Sequence, residues 1–110
     1  MKFSVLMSVY NLENHKFLEK SLESITVNQK IKPDEIVIVE DGILSKDLSN
    51  TIKFFKKKYN IISVKNKVNL GLGKSLNKGL KHCSNEWVFR MDSDDISKYN
   101  RFYEQIKFIK

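Results

Sequence analysis

Four short apolar runs punctuate this chain, at residues 3–9, 36–39, 61–64 and 87–91. They are rich in β-branched residues and nearly continuous, the pattern of strands buried on both faces rather than one. After each run the spacing changes to a helical one. Leu18, Leu22 and Ile25 fall at i, i+4, i+7, and Leu48, Ile52 and Phe55 repeat that spacing. Leu72, Leu76 and Leu80 run i, i+4, i+8, and Phe102, Ile106 and Ile109 close the series. Each set predicts a helix that lays one apolar stripe on a sheet, and all twelve residues are assigned to the core. Strand followed by helix, four times over, predicts an α/β fold with three layers, α/β/α. Its sheet is mainly parallel, of about four strands, with right-handed crossovers.

Sheets of this kind bind ligands beyond the carboxyl ends of their strands, near the reversal in strand order. The residues at those ends are polar, acidic or glycine: Tyr10-Asn11, Glu40-Asp41-Gly42, the loop Asn69-Leu70-Gly71-Leu72-Gly73, and Asp92-Ser93-Asp94-Asp95. The last is the most telling. Carboxylates at i and i+2 on a loop can reach a hard cation such as Mg²⁺ or Mn²⁺, which takes oxygen ligands and leaves positions for phosphate. On residue type alone, Asp92 and Asp94 could equally cap a following helix.

Several motifs are excluded by spacing. Gly71-Leu72-Gly73-Lys74-Ser75 invites a P-loop reading, but Val68 stands where that motif needs its first glycine. An EF-hand would need an oxygen ligand at Ile96 and glycine at Ser97. An aspartyl-phosphate site would place its acidic pair after the first strand, not the fourth. His15 and His82 have no partners at catalytic spacing and are read as surface residues. Cys83 is the single cysteine, without zinc spacing, and is read as an inert helix-end residue.

Composition adds bounds. With 110 residues, 41% hydrophobic and 30% charged, the chain is expected to form one domain over residues 1–110. No apolar run approaches the roughly 20 residues of a membrane span, and residues 1–9 lack signal-peptide character. The cytoplasm is the expected compartment, at the inner face of the membrane if the protein works there. The formal charge of +7 is unevenly placed: between Asp47 and Glu86 there is no acid, while nine lysines fall in that stretch. That bias suits anionic partners, either nucleotide phosphates or an acidic membrane surface. No zinc finger, basic zipper or aromatic ribonucleoprotein motif accompanies it, so no nucleic acid is expected as partner.

Taken together, these motifs resemble the family 2 glycosyltransferases of the GT-A fold, over essentially the whole chain. Ser4-Val5-Leu6-Met7-Ser8-Val9-Tyr10-Asn11 is similar to that family's first strand and nucleotide-contacting turn. Ser21-Leu22-Glu23-Ser24-Ile25 with Gln29 resembles its first helix, and residues 35–42 its second strand with the acidic base-binding residue. Residues 69–80 resemble its N-x-G-x-x-x-x-x-N-x-G helix, and Arg90-Met91-Asp92-Ser93-Asp94-Asp95-Ile96 with Arg101-Phe102 its metal-binding DxD turn. The wording looks closest to bacterial exopolysaccharide enzymes of the amylovoran type.

The resemblance implies transfer of a sugar, with inversion, from a nucleotide-diphospho-sugar to a saccharide or lipid-linked saccharide acceptor, in exopolysaccharide or lipopolysaccharide synthesis. The favoured donor is a UDP-sugar. Nucleotide contacts fall to Ser8, Tyr10, Asp41, Asn69, Gly71 and Asp92. Asp41 would accept from the base, and Tyr10 would lie against it. Asp94, assisted by Asp92, would hold Mn²⁺ or Mg²⁺. Asp95 would contact the sugar or brace the loop, and Arg101 would pair with the carboxylates or lie on a helix surface. Glu40 stands where the family often has Asp, and Tyr99 where a proline is usual. The chain stops 15 residues after Asp95, so the catalytic base is expected beyond Lys110 and the chain is expected to be truncated before the acceptor-binding half. Self-association through the face left uncovered is a further expectation. Two rivals remain. A sugar-nucleotidyltransferase would need a glycine-rich basic loop after the first strand, where Tyr10-Asn11-Leu12-Glu13 stands. A nucleotide-binding module without transferase activity would bind donor and not turn it over.

Overall fold

The computed structural model describes residues 1–109 and confirms the alternation. The elements are β1 (Phe3–Tyr10), α1 (His15–Ile25), β2 (Glu35–Asp41), α2 (Lys46–Lys56), β3 (Ile61–Asn66), α3 (Leu72–Leu80), β4 (Trp87–Arg90) and α4 (Arg101–Ile109). The four strands form one parallel sheet in the order β3-β2-β1-β4. From β1 to β3 the chain steps outward in one direction, then crosses back over β1 to place β4 on its far side. Right-handed crossovers put helices on opposite faces when the direction reverses. Accordingly α1 and α2 share one face with α4, while α3 lies alone on the other.

The two faces are built differently. On the α1 side, Phe3, Val5, Met7 and Val9 of β1 meet Leu18, Leu22 and Ile25, then Leu48, Ile52 and Phe55, in one continuous core. Phe102 anchors α4 there, with its ring centroid 4.9 Å from Phe3 and 5.8 Å from Phe89. Burying such a ring is worth about 2 kcal/mol, and it fixes where the chain resumes after the acidic turn.

On the α3 side the expected leucine stripe is not the contact line. Ser75 and Gly79 are the buried residues of α3, while Leu72 and Leu80 are 57% and 51% exposed. The reason is close approach. Gly79 lies so near the sheet that a Cβ there would sit 2.5 Å from Val39 Cγ2. A helix seated on its small residues turns its leucines aside, and only Leu76 still packs on the sheet, against Val37, Val39 and Leu6. Two other core expectations are corrected. Ile109 is 37% exposed at the end of α4, and β4 is only partly covered, with Trp87 40% exposed. The sheet ends at β4, so no neighbouring strand covers its outer edge.

Candidate functional site

The reversal in strand order lies between β1 and β4, and the carboxyl ends of both strands open into a cleft of about 440 Å³. Its walls carry Ser8 and Tyr10 from β1, Asp41 from β2, Asn69 and Gly71 from the loop after β3, and Asp92 after β4. All six residues expected to contact a nucleotide are thereby brought together, although they span 84 positions of sequence from Ser8 to Asp92. Glu13, Leu72 and Ser93 complete the lining. No spacing in the sequence singles out Glu13. Ser93 sits between two carboxylates that drew attention away from it.

Asp41 is the most constrained group of the cleft. It is 3% exposed, and its Oδ1 accepts from Leu70 N–H at 2.6 Å and from the Asn66 amide at 3.0 Å. Its Oδ2 accepts from Gly71 N–H at 3.0 Å. Burial alone would raise its pKa, but the Leu70 N–H, the Asn66 amide, the Gly71 N–H and the Ser75 hydroxyl together lower it below the ordinary value. A carboxylate offers about four acceptor positions, and the chain's own donors take most of them. Asp41 is therefore first the bracket that shapes residues 69–71, and would meet a base only while already holding that loop.

The loop needs its glycine. Gly71 has φ 92° and ψ 164°, a region open essentially to glycine, and it forms the N-cap of α3 without a side-chain cap. The N-terminal end of α3 thus opens onto the cleft with the partial positive charge of a helix start. The network continues outward: Asn66 also donates to Ser75 Oγ at 3.0 Å, and Lys78 Nζ donates to Asn66 Oδ1 at 2.9 Å.

Beside the cleft, Asp92, Asp94 and Asp95 are exposed and each offers a carboxylate oxygen, all within 4.8 Å of one another. The helix-cap alternative fails, because no helix starts at this turn; α4 begins only at Arg101. Three hard oxygen donors so close suit Mg²⁺ or Mn²⁺ by donor chemistry. Asp94 sits beside the cleft rather than in its wall, while Asp92 lines both the cleft and a second hollow of about 680 Å³ that also includes Asp95, Arg90 and Arg101.

Arg101 departs from the expected pairing with the carboxylates. Its guanidinium donates to Ser97 Oγ and to the Arg90 carbonyl, each at 3.0 Å, so it braces the loop from below. Among the described residues the one ion pair is His15 with Asp47, at 3.8 Å on the surface, in keeping with a surface role for His15. Burial and the Glu35 carboxylate push the Cys83 thiol up to about 11, which leaves it a poor nucleophile at neutral pH.

The basic stretch wraps the opposite edge of the sheet. Lys53, Lys56, Lys57 and Lys58 lie at and just after the end of α2, Lys65 and Lys67 on and after β3, and Lys74, Lys78 and Lys81 along α3. These nine exceed the net charge of +7, so the rest of the chain carries a net −2. Among the described residues, no helix is long and apolar enough to cross a membrane.

Comparison with known proteins gives a consistent picture. The family model for "Glycosyl transferase family 2" matches residues 4–110. The UDP-Gal:alpha-D-GlcNAc-diphosphoundecaprenol beta-1,3-galactosyltransferase of Escherichia coli is 42% identical over 101 residues, covering 92% of this chain and 36% of that protein. The amylovoran biosynthesis glycosyltransferase AmsE of Erwinia amylovora is 43% identical over 108 residues, covering 98% and 40%. Among solved structures, S. aureus TarS 1-349 in complex with UDP superposes with a TM-score of 0.85 at 29% identity, covering 99% of this chain and 32% of that one. The chain thus spans well under half the length of these relatives.

Proposed function

Because the chain belongs to glycosyl transferase family 2, we propose that it is the donor-binding part of an inverting glycosyltransferase that acts on a nucleotide-diphospho-sugar. The observation that carries this reading is the convergence of all four strand ends on one cleft flanked by three carboxylates. Tyr10, 41% exposed at the end of β1, offers a ring face to the base. The start of α3 and Ser8 serve the phosphates, the former through its dipole. Asp94 and Asp92 hold the divalent ion, and Asp95 faces the sugar side or supports the turn. A bound Mg²⁺ or Mn²⁺ would neutralise charge on the departing nucleoside diphosphate. The second hollow, which shares Asp92 and Asp95 with the turn, suits the sugar and its acceptor.

UDP is the favoured nucleotide, supported by the UDP-Gal named for the E. coli relative and the UDP bound to TarS. A lipid-linked saccharide acceptor in polysaccharide assembly is supported by the diphosphoundecaprenol of that same relative and by the amylovoran role of AmsE. The catalytic base, a carboxylate that deprotonates the acceptor hydroxyl, is placed beyond Lys110. Work at the inner face of a membrane is supported by the lysines around the β3 edge. Flotation with acidic but not zwitterionic vesicles, lost at high salt, is the expected behaviour; equal flotation with both would remove this part of the reading. Self-association through the β4 side is excluded by a monomeric sedimentation profile at high concentration.

Calorimetric titration of UDP into the chain, with and without Mn²⁺, tests the core of the proposal. Binding is expected to need Mn²⁺ and to weaken by more than about tenfold in Asp94→Ala. No binding of UDP, dTDP or GDP with any divalent ion would overturn it. Slow release of free sugar from a bound donor would separate residual transferase character from a pure binding module.

A further inference from the structure

We propose that Gln29 is a positioning residue for the Asp92–Asp95 turn, acting through both ends of the segment that follows it. The inference rests on the donor-site reading for its functional meaning but on separate geometry for its substance. Gln29 lies beyond the end of α1 and is 1% exposed. Its Nε2 donates to the Ser24 carbonyl and to the Lys98 carbonyl, each at 2.9 Å, and its Oε1 accepts from Phe102 N–H at 3.3 Å. One amide thus satisfies the start of α4, whose first N–H groups have no partner within the helix, and ties it to the last turn of α1.

The tie matters because of what lies between. Residues 91–100 contain neither helix nor strand, yet carry three exposed carboxylates within 4.8 Å of one another. Mutual repulsion favours splaying this loop apart until a cation arrives. Resistance comes from a row of contacts supplied by residues 21–30. Ser21 Oγ donates to the Asp92 carbonyl at 3.4 Å, Ser97 N–H donates to Ser24 Oγ at 2.9 Å, and Lys30 N–H donates to the Tyr99 carbonyl at 2.8 Å. Gln29 alone among them reaches both the loop and α4. It sets where α4 begins, and so the length of chain over which the carboxylates can spread. A carboxylate cluster held near its bound spacing takes a cation without first ordering the chain.

The test compares Gln29→Met, which keeps the volume and removes all three bonds, with Ile52→Ala, a buried α2 change on the far side of the core. Two quantities are read on each: amide hydrogen exchange along the chain, and Mn²⁺ affinity in the presence of UDP. In Gln29→Met, exchange at Asp95 and Ser97 is expected to quicken by about tenfold or more relative to the strands, and Mn²⁺ affinity to fall about tenfold. Ile52→Ala is expected to quicken exchange throughout and leave Mn²⁺ affinity unchanged. Unchanged exchange at the turn in Gln29→Met, or an equal loss of Mn²⁺ affinity in Ile52→Ala, overturns the inference. If the wild-type chain binds no Mn²⁺ with UDP, the donor-site reading fails, and the exchange comparison alone decides the role of Gln29.

Discussion

Asp41→Ala is expected to destabilise the chain by about 3 kcal/mol, with much of the loss in the loop of residues 69–71. Three donors lose their acceptor at once: the Leu70 and Gly71 N–H groups and the Asn66 amide. Bonds to a charged acceptor are worth more than neutral ones, and a donor left buried and unpaired adds a desolvation cost. UDP binding should fall with stability, because Asn69 and Gly71 line the cleft. The same carboxylate gives the effect a pH signature. Its pKa is lowered by folding, so its contribution is complete above the unfolded value of about 4 and is lost as pH falls through the folded value. Glu35 acts in the same direction. Burial would raise its pKa, but the Ser4 hydroxyl and the Ser84 N–H and hydroxyl bring it down. Urea unfolding across pH should therefore show a constant gap between wild type and Asp41→Ala near neutrality that closes in acid. A gap that widened in acid would refute the assignment.

The second large effect is expected at Gly79. By helix propensity alone, replacing glycine inside a helix stabilises it by about 1 kcal/mol. Here the sign should reverse. A Cβ at this position would stand 2.5 Å from Val39 Cγ2 and 2.6 Å from Leu6 Cδ1, both in the interior of the sheet. Gly79→Val forces α3 off β1 and β2 and should cost about 2–3 kcal/mol, read as a lower urea midpoint. Because α3 also carries the Gly71 end of the cleft, donor affinity should drop as well. Adding Val39→Ala should restore part of the stability by opening space where the new methyls point. No recovery in that double variant would mean that the close approach is not what makes glycine necessary.

Much of this was legible in the sequence because two independent signals agreed. Continuous β-branched runs located the strands, and the acids and glycines directly after them marked a single edge. Tyr10, Asp41, Gly71 and Asp92 therefore fell into one cleft as expected. The α3 helix was misread for a physical reason. Leu72, Leu76 and Leu80 form the better apolar stripe, but burial follows the closest approach of backbones, which belongs to Ser75 and Gly79. Periodicity registers side-chain polarity and is blind to how near a helix must come. Arg101 was misread because charge suggested carboxylate partners, whereas its reach ends at the Arg90 carbonyl and Ser97. Gln29 drew notice only as part of a motif, and nothing in the sequence reveals which distant carbonyl a buried amide will meet.

The placement of β1 in the middle of the sheet also governs the order in which the molecule can be assembled during synthesis. The first strand to leave the ribosome has β2 as one neighbour, available after residue 41, but its other neighbour is Trp87–Arg90, near the end of the span. Contacts so distant along the chain form slowly. The seam between β1 and β4 therefore closes last, and the cleft at its end comes into being only when nearly all of these residues have been made. Nascent chains that stall earlier hold a half-sheet with one bare side of β1, a species open to aggregation and without a cleft to bind ligand.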